Sequence, residues 1–350
     1  MSGACYDEDM EVQPGDLLDT DVAAALETGW GLRAVCLSYL AVGFGSHHWV
    51  VEGEGEAGAR RYMANVDNLD QKDWLGHGGD EVFAALERTL ATALALSRRE
   101  GLEFVVGPVP AATGAAAVRL SPRYSLSLFP FVDGRTWRPS QALTPPERDQ
   151  RLRLLARLHG ARDLTGNPLR APSERESAAS FGASLDILLA SLDQAWDQGP
   201  LGGPARRLLA EHAGAVTAWQ HRSETLAREL GETPVVPCLT HGEPKPDNWM
   251  ESEAGLHLID WDTAMLGRPE RDLWHLDPGR PDGFAAYVAA GGQPPDPAAL
   301  EWYRLSWTLS DVLGFAQQFR GPHEDDADAA TAYNGLRAYL DEPSDRNERA

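Results

Sequence analysis

Leu239-Thr240-His241-Gly242-Glu243-Pro244-Lys245-Pro246-Asp247-Asn248 runs through Trp249-Met250 and an acidic turn into Leu256-His257-Leu258-Ile259-Asp260-Trp261-Asp262. Its two ends are short apolar runs joined by a turn that contains Gly255, the pattern of a β-hairpin. A hairpin returns the chain, so Asn248 and Asp260 are expected at neighbouring ends of paired strands. An amide oxygen beside a carboxylate makes a hard oxygen site suited to Mg²⁺, which retains phosphate oxygens in its shell. Glu243 precedes Asn248 by five residues in a proline-stiffened loop, so its carboxylate can reach the same place and hold a substrate hydroxyl.

Any one of these residues would be unremarkable at the end of an ordinary hairpin. The ordered set is much harder to obtain by chance: His-Gly-acid, an Asn five residues on, a hairpin-length gap, then an apolar strand closing on Asp.

Outward from this segment the chain divides in two. Arg33 to Val42, His47 to Glu52 and Arg60 to Val66 read as strands separated by glycine-containing turns. Val82, Phe83, Leu86, Leu90, Leu94 and Leu96 recur with helical period across 80–99, and Gly101 ends that helix. Phe104 to Val109 and Tyr124 to Val132 read as further strands. A short helix over 21–28, ended by Gly29, precedes them all. After Gly134 the pattern turns helical: Pro145 and Pro146 open a helix buried through Leu152, Leu155 and Leu158. Helices follow within 178–230 and near 270–276, 282–290, 298–319 and 327–340. The expected architecture is α+β with two lobes. Residues 1–132 form a small antiparallel-sheet lobe whose first 17 residues are loose, 133–340 form a larger helical lobe, and 341–350 form a tail.

Composition narrows the function. No run approaches the roughly 18 apolar residues of a membrane span. The acidic N-terminus lacks a secretory pattern, and a cytoplasmic location is the expectation. Cys5, Cys36 and Cys238 are too few and too scattered for a disulfide framework or a zinc site, and the expectation is two buried thiols and one in the tail. The net charge of −22 argues against a polyanionic partner such as nucleic acid. It would steer a cationic ligand inward, although solubility alone explains it as well. Of 31 basic residues only Lys72 and Lys245 are lysine.

The cassette resembles the catalytic loop and metal-binding segment of protein kinases, and more closely those of the aminoglycoside phosphotransferase family, with its His-Gly-Asp, Asn and Ile-Asp-Trp pattern. The resemblance implies ATP and Mg²⁺ as cofactors and phosphoryl transfer to a small hydroxylated molecule. By the same resemblance Glu243 is the catalytic carboxylate, Asn248 and Asp260 bind the metal, and Asp272 braces the loop. Lys245 would neutralise charge on the moving phosphoryl group. Asp262 would be a second metal or substrate contact, or a helix cap. Gly43, Gly45 and Ser46 lie between two strands, where backbone can approach phosphate oxygens and Ser46 would point a hydroxyl or amide at phosphate. Ser127 to Gly134 resembles the hinge, with backbone near Leu128, Phe129 and Phe131 facing adenine.

Three positions depart from the pattern. Asn65 stands where the third strand should carry the lysine that touches the α- and β-phosphates. Lys72, Lys245 or an arginine would have to compensate, and Glu87, the best-placed helix glutamate, has no lysine to pair. Glu243 replaces Asp, which moves the carboxylate by roughly 1–1.5 Å. The implied role is a resistance kinase acting on an antibiotic. A metabolite kinase of the same fold and a weakly active nucleotide-binding pseudokinase are the competing expectations.

Overall fold

The computed structural model describes residues 13–42, 46–55, 58–137, 141–162, 168–233, 235–280 and 282–341. The amino-terminal part is a five-stranded antiparallel sheet in the order β1-β2-β3-β5-β4. Its strands are β1 (Arg33–Leu40), β2 (Ser46–Gly55), β3 (Gly58–Asn68), β4 (Val118–Arg119) and β5 (Tyr124–Pro130). Alternation along the strands sorts their side chains onto two faces. Trp49, Val51, Ala64, Val66, Leu126 and Leu128 pack against Val22 and Leu26 of α1 (Asp19–Trp30). Phe129 and Met63 face the other way, into a cluster built on Val82, Leu86 and Leu90 of α2 (Gly79–Ser97). Helix α2 therefore buries the face predicted from its period.

The carboxyl-terminal part begins at β6 (Gly134–Thr136) and is mainly helical: α3 (Pro145–Gly160), α4 (Glu174–Ala190), α5 (Gly202–Leu230), then β7 (Cys238–Thr240), β8 (Trp249–Ser252), β9 (Gly255–Leu258), β10 (Met265–Gly267), α6 (Glu270–Leu273), α7 (Ala285–Ala289), α8 (Pro297–Arg320) and α9 (Ala327–Asp341). Helix α3 starts at Thr144, which forms a capping box with Glu147, and buries Leu152, Leu155 and Leu158 completely. Its Arg151 is sandwiched near Trp137 and Trp249, with ring centroids 4.1 and 5.7 Å from the guanidinium carbon. The α+β, two-lobed, protein-kinase-like architecture expected from the sequence is the one observed.

Four local expectations are corrected. Helix α1 runs through Gly29 and stops at Gly31, whose φ of 62° supplies the left-handed cap. Leu17 is buried against α1 and Asp16 accepts a hydrogen bond from the Tyr124 hydroxyl at 3.0 Å, so the end of the supposedly loose stretch is anchored. Residues 104–109 are not a sheet strand. Val105 makes one parallel bridge to Leu258, Leu258 N donates to the Phe104 carbonyl and Val106 N to the Leu258 carbonyl, which pairs this stretch with β9. Cys36 is exposed on the outermost strand, while Cys238 is buried. Cys5 lies outside the described residues.

Candidate active site

The loop from His241 to Asn248 is held by its backbone. Strand β7 pairs with β10 and delivers His241 and Gly242 into the interior. Asp272, wholly buried in α6, accepts from His241 N at 2.8 Å and from Gly242 N at 2.7 Å. His159 at the end of α3 bonds the same carboxylate at 3.0 Å and the Tyr287 hydroxyl at 2.8 Å. Burial pushes the Asp272 carboxyl up, but the His159 bond and surrounding positive charge outweigh it and hold it below the usual range. Gly242 has φ of 104°, and a Cβ there would sit 2.6 Å from the Arg271 guanidinium, so only glycine fits. The His241 Nδ1 accepts from Glu243 N at 3.2 Å, which leaves Nε2–H to donate to the Ile259 carbonyl at 2.9 Å. Burial lowers the pKa of this imidazole to about 4, so it stays neutral.

The hairpin works as its spacing predicts. Trp249 pairs with Leu258 and Ser252 with Gly255, and Ile259 N donates to the Asn248 carbonyl at 3.0 Å. Asn248 and Asp260 thus leave the paired strands side by side. The Asn248 amide nitrogen donates to the Glu243 carbonyl at 2.8 Å, which fixes the amide and frees its oxygen. Among the described residues Asp260 is the only non-glycine with positive φ, at 67°. Trp261, fully buried, donates to the Leu258 carbonyl and anchors the turn that carries this strain.

Charges converge on this point. Lys245 Nζ lies 3.7 Å from Glu243 and 3.6 Å from Asp247. Burial and the charge of Asp262 raise the Glu243 carboxyl, against the pull of Lys245. Asp260 is solvent-exposed, yet protein atoms crowd around it. That enclosure and the neighbouring Asp262 and Glu243 carboxylates hold its pKa well above the ordinary value. No described residue donates a hydrogen bond to it. Behind Glu243, toward Ser306, Trp307 and Ser310 of α8, lies a cavity of about 20 Å³, room for about one water and too small for an acceptor. Trp302 and Tyr303 are core residues, and Glu301 is paired with Arg222.

The sheet above the cleft differs from expectation. Lys72, fully buried, bridges Asp67 at 3.0 Å and Asp262 at 2.5 Å. Burial alone would lower the pKa of its ammonium; the two carboxylates outweigh this and raise it above the usual lysine value. Ser46 Oγ donates to Asp67 at 2.6 Å, so its hydroxyl is committed to the sheet rather than offered to a ligand. Asn65 pairs with His48 across the strands, Oδ1 to Nδ1 at 3.1 Å, and burial holds that imidazole below its ordinary pKa. Glu87 accepts from Ala116 N at 3.2 Å. The Leu128 side chain lies in the α1 core and its carbonyl accepts from Val109 N at 2.6 Å. Phe129 faces the α2 cluster with Ile259, and the Phe131 ring is covered by Arg61 at 4.3 Å. Gly43 and Gly45 lie outside the described residues. Asp67 and His48 escaped the sequence reading; their alternation with buried Val66 and Trp49 was the available signal.

The model of the phosphotransferase enzyme family matches residues 75–303. The chain belongs to that family. Protein StrN of Streptomyces griseus is 31% identical over 263 residues, which are 71% of this chain and 75% of that protein. Among solved structures, spectinomycin phosphotransferase APH(9)-Ia in complex with ADP and spectinomycin superposes with a TM-score of 0.71 at 14% identity, covering 95% of this phosphotransferase and 98% of that chain. Macrolide 2'-phosphotransferase MphH from Brachybacterium faecium gives 0.53 at 18% identity, covering 93% and 99%. Plasmodium vivax ethanolamine kinase gives 0.53 at 12%, covering 87% and 82%.

The donor set of the phosphotransferase fits magnesium. Asp260 is an undonated carboxylate under repulsion from two others, and the Asn248 amide oxygen stands free beside it. No closed cage of three or more His, Cys, Asp or Glu ligands exists among the described residues.

Proposed function

We propose that this phosphotransferase moves the γ-phosphoryl group of ATP to a hydroxyl of a small molecule, and that the acceptor is an antibiotic. The observation that carries the reading is Glu243 held by the same short loop as Asn248, with Asp260 at the paired strand end. The relatives support the choice of acceptor and nucleotide: among them are spectinomycin and macrolide phosphotransferases, one of them complexed with ADP, and an amicoumacin kinase complexed with AMP-PNP, Ca²⁺ and Ami.

In this reading Asp260 and the Asn248 amide oxygen hold magnesium, which supplies charge neutralisation to the phosphate oxygens. Glu243 accepts a hydrogen bond from the acceptor hydroxyl and orients it in line. The acceptor oxygen forms a bond to the γ-phosphorus as the bond to the ADP oxygen breaks. The hydroxyl proton passes to Glu243, whose raised pKa favours late acceptance. Because such transition states are loose, positioning and charge matter more than base strength. The ammonium of Lys245 holds the Glu243 carboxylate in place and offsets negative charge at the point of transfer.

The test is ATP turnover against a panel of hydroxylated antibiotics and hydroxylated metabolites, with products read by phosphorus NMR. Transfer to a metabolite alone overturns the antibiotic assignment. Nucleotide binding without transfer to any member, unaltered by Glu243→Ala, makes the protein a binding module.

A further inference from the structure

We propose that Asp67, Lys72 and Asp262 form a positioning relay that seats the metal-binding loop against the sheet, replacing the pair between a strand lysine and a helix glutamate. The inference rests on the nucleotide-and-metal reading above.

Three observations carry it. First, the strand position that would hold such a lysine is Asn65, and its amide is engaged with His48. The helix glutamate candidate, Glu87, serves the Ala116 amide instead. Second, Lys72 takes its first carboxylate from its own neighbourhood. Asp67 is near the end of β3, and Lys72 follows it across one short helical turn, Leu69–Gln71. Ser46 donates to Asp67 and Trp74 packs its ring 5.2 Å from the ammonium, so the lysine is aimed before it meets Asp262. Third, Asp262 is well placed to transmit a pull. On one side of it Trp261 is locked into the core, one residue from the strained Asp260. On the other, Thr263 Oγ1 donates to the His241 carbonyl of the catalytic loop at 2.9 Å. Fixing the Asp262 carboxylate at 2.5 Å therefore fixes the direction in which Asp260 faces the cleft.

The relay is assembled from one strand, one turn and the metal loop. Displacement of α2 would not break it, unlike a pair that spans strand and helix.

The sign of a metal-binding change separates this role from a simple charge effect. Removing a positive charge beside a cation site tightens cation binding through Coulomb's law; removing a positioning residue loosens it. The experiment measures Mn²⁺ affinity of the full chain with ADP by electron paramagnetic resonance, and metal-free ADP affinity by calorimetry in EDTA. Lys72→Met is expected to weaken Mn²⁺ binding tenfold or more while ADP alone changes less than threefold. Lys72→Arg, which keeps charge and reach, is expected to return Mn²⁺ affinity to within about threefold of the parent. Ser46→Ala, which changes no charge but removes the bond that aims Asp67, should weaken Mn²⁺ in the same direction by a smaller factor, and it keeps the test open should Lys72→Met fail to fold. Tighter or unchanged Mn²⁺ binding in the folded variants overturns the relay. So does a tenfold loss of metal-free ADP affinity, which would make Lys72 a phosphate contact. If the parent protein binds neither ADP nor its Mn²⁺ complex, the functional reading falls first and takes the relay with it.

Discussion

The loop that carries Glu243 and the amino-terminal sheet solve the same problem, fixing charged groups in place, by different means. In the loop, Asp272 holds two backbone amides, His241 holds a third, and Asn248 holds a carbonyl. Backbone partners impose strict spacing, because moving one residue misplaces every bond. The sheet uses side chain to side chain contacts, Ser46 to Asp67 to Lys72 to Asp262. Such a chain needs only that charges end up adjacent, so a lysine can leave its strand and arrive from the next turn. One region is therefore constrained in sequence, the other only in space.

Four measurements would break or sharpen that contrast. Glu243→Gln should lower phosphoryl transfer by about 10²–10⁴-fold in steady-state turnover with an acceptor from the panel, while ADP affinity stays within about threefold. A comparable fall in both would mean that loop and nucleotide site are not separable. Asp272→Ala should destabilise the fold by about 3–5 kcal/mol in urea titration, since it strands two buried amides and His159. A loss under 1 kcal/mol would show that the loop is held by other contacts.

The third concerns pH. Folded His241 stays neutral down to about 4, and His275, which follows α6 and lies 3.3 Å from the Gly242 carbonyl, stays neutral down to about 3, both through burial, whereas the unfolded groups titrate near 6.5. The unfolded chain thus binds more protons below that value. Stability from these groups is full above pH 6.5 and falls on acidification, by about 1.4 kcal/mol per pH unit for each histidine within its window. Urea midpoints between pH 7 and 4.5 check this; a flat profile would place the histidines in contact with water. The smallest effect belongs to Glu87→Gln, which keeps an acceptor for Ala116 N. It should change stability by less than about 1 kcal/mol and turnover by less than about twofold. A large kinetic effect would restore the helix glutamate to the nucleotide site.

What could be read from the sequence follows the same division. The hairpin that brings Asn248 beside Asp260 was legible because a short turn leaves the register little choice. The α2 face was legible from its period. Ser46 was not, because a serine after a glycine turn can face either a ligand or its neighbouring strand, and Asp67 on the adjacent strand decides it. The opposite facing of the Leu128 and Phe129 side chains is concealed by their contiguous apolar run. Residues 104–109 have strand composition, but their partner is β9, more than 140 residues away, and local pattern carries no trace of that. Gly31 rather than Gly29 ends α1 because the stop depends on which glycine turns left-handed.

The pairing of residues 104–106 with Leu258 also has a mechanical consequence. Two backbone hydrogen bonds and one bridge stitch the stretch that follows α2 to the strand that leads into Asp260. Were the sheet to tilt against the helical part, Asp260, two residues beyond this seam, would be displaced less than groups at the far rim of the sheet.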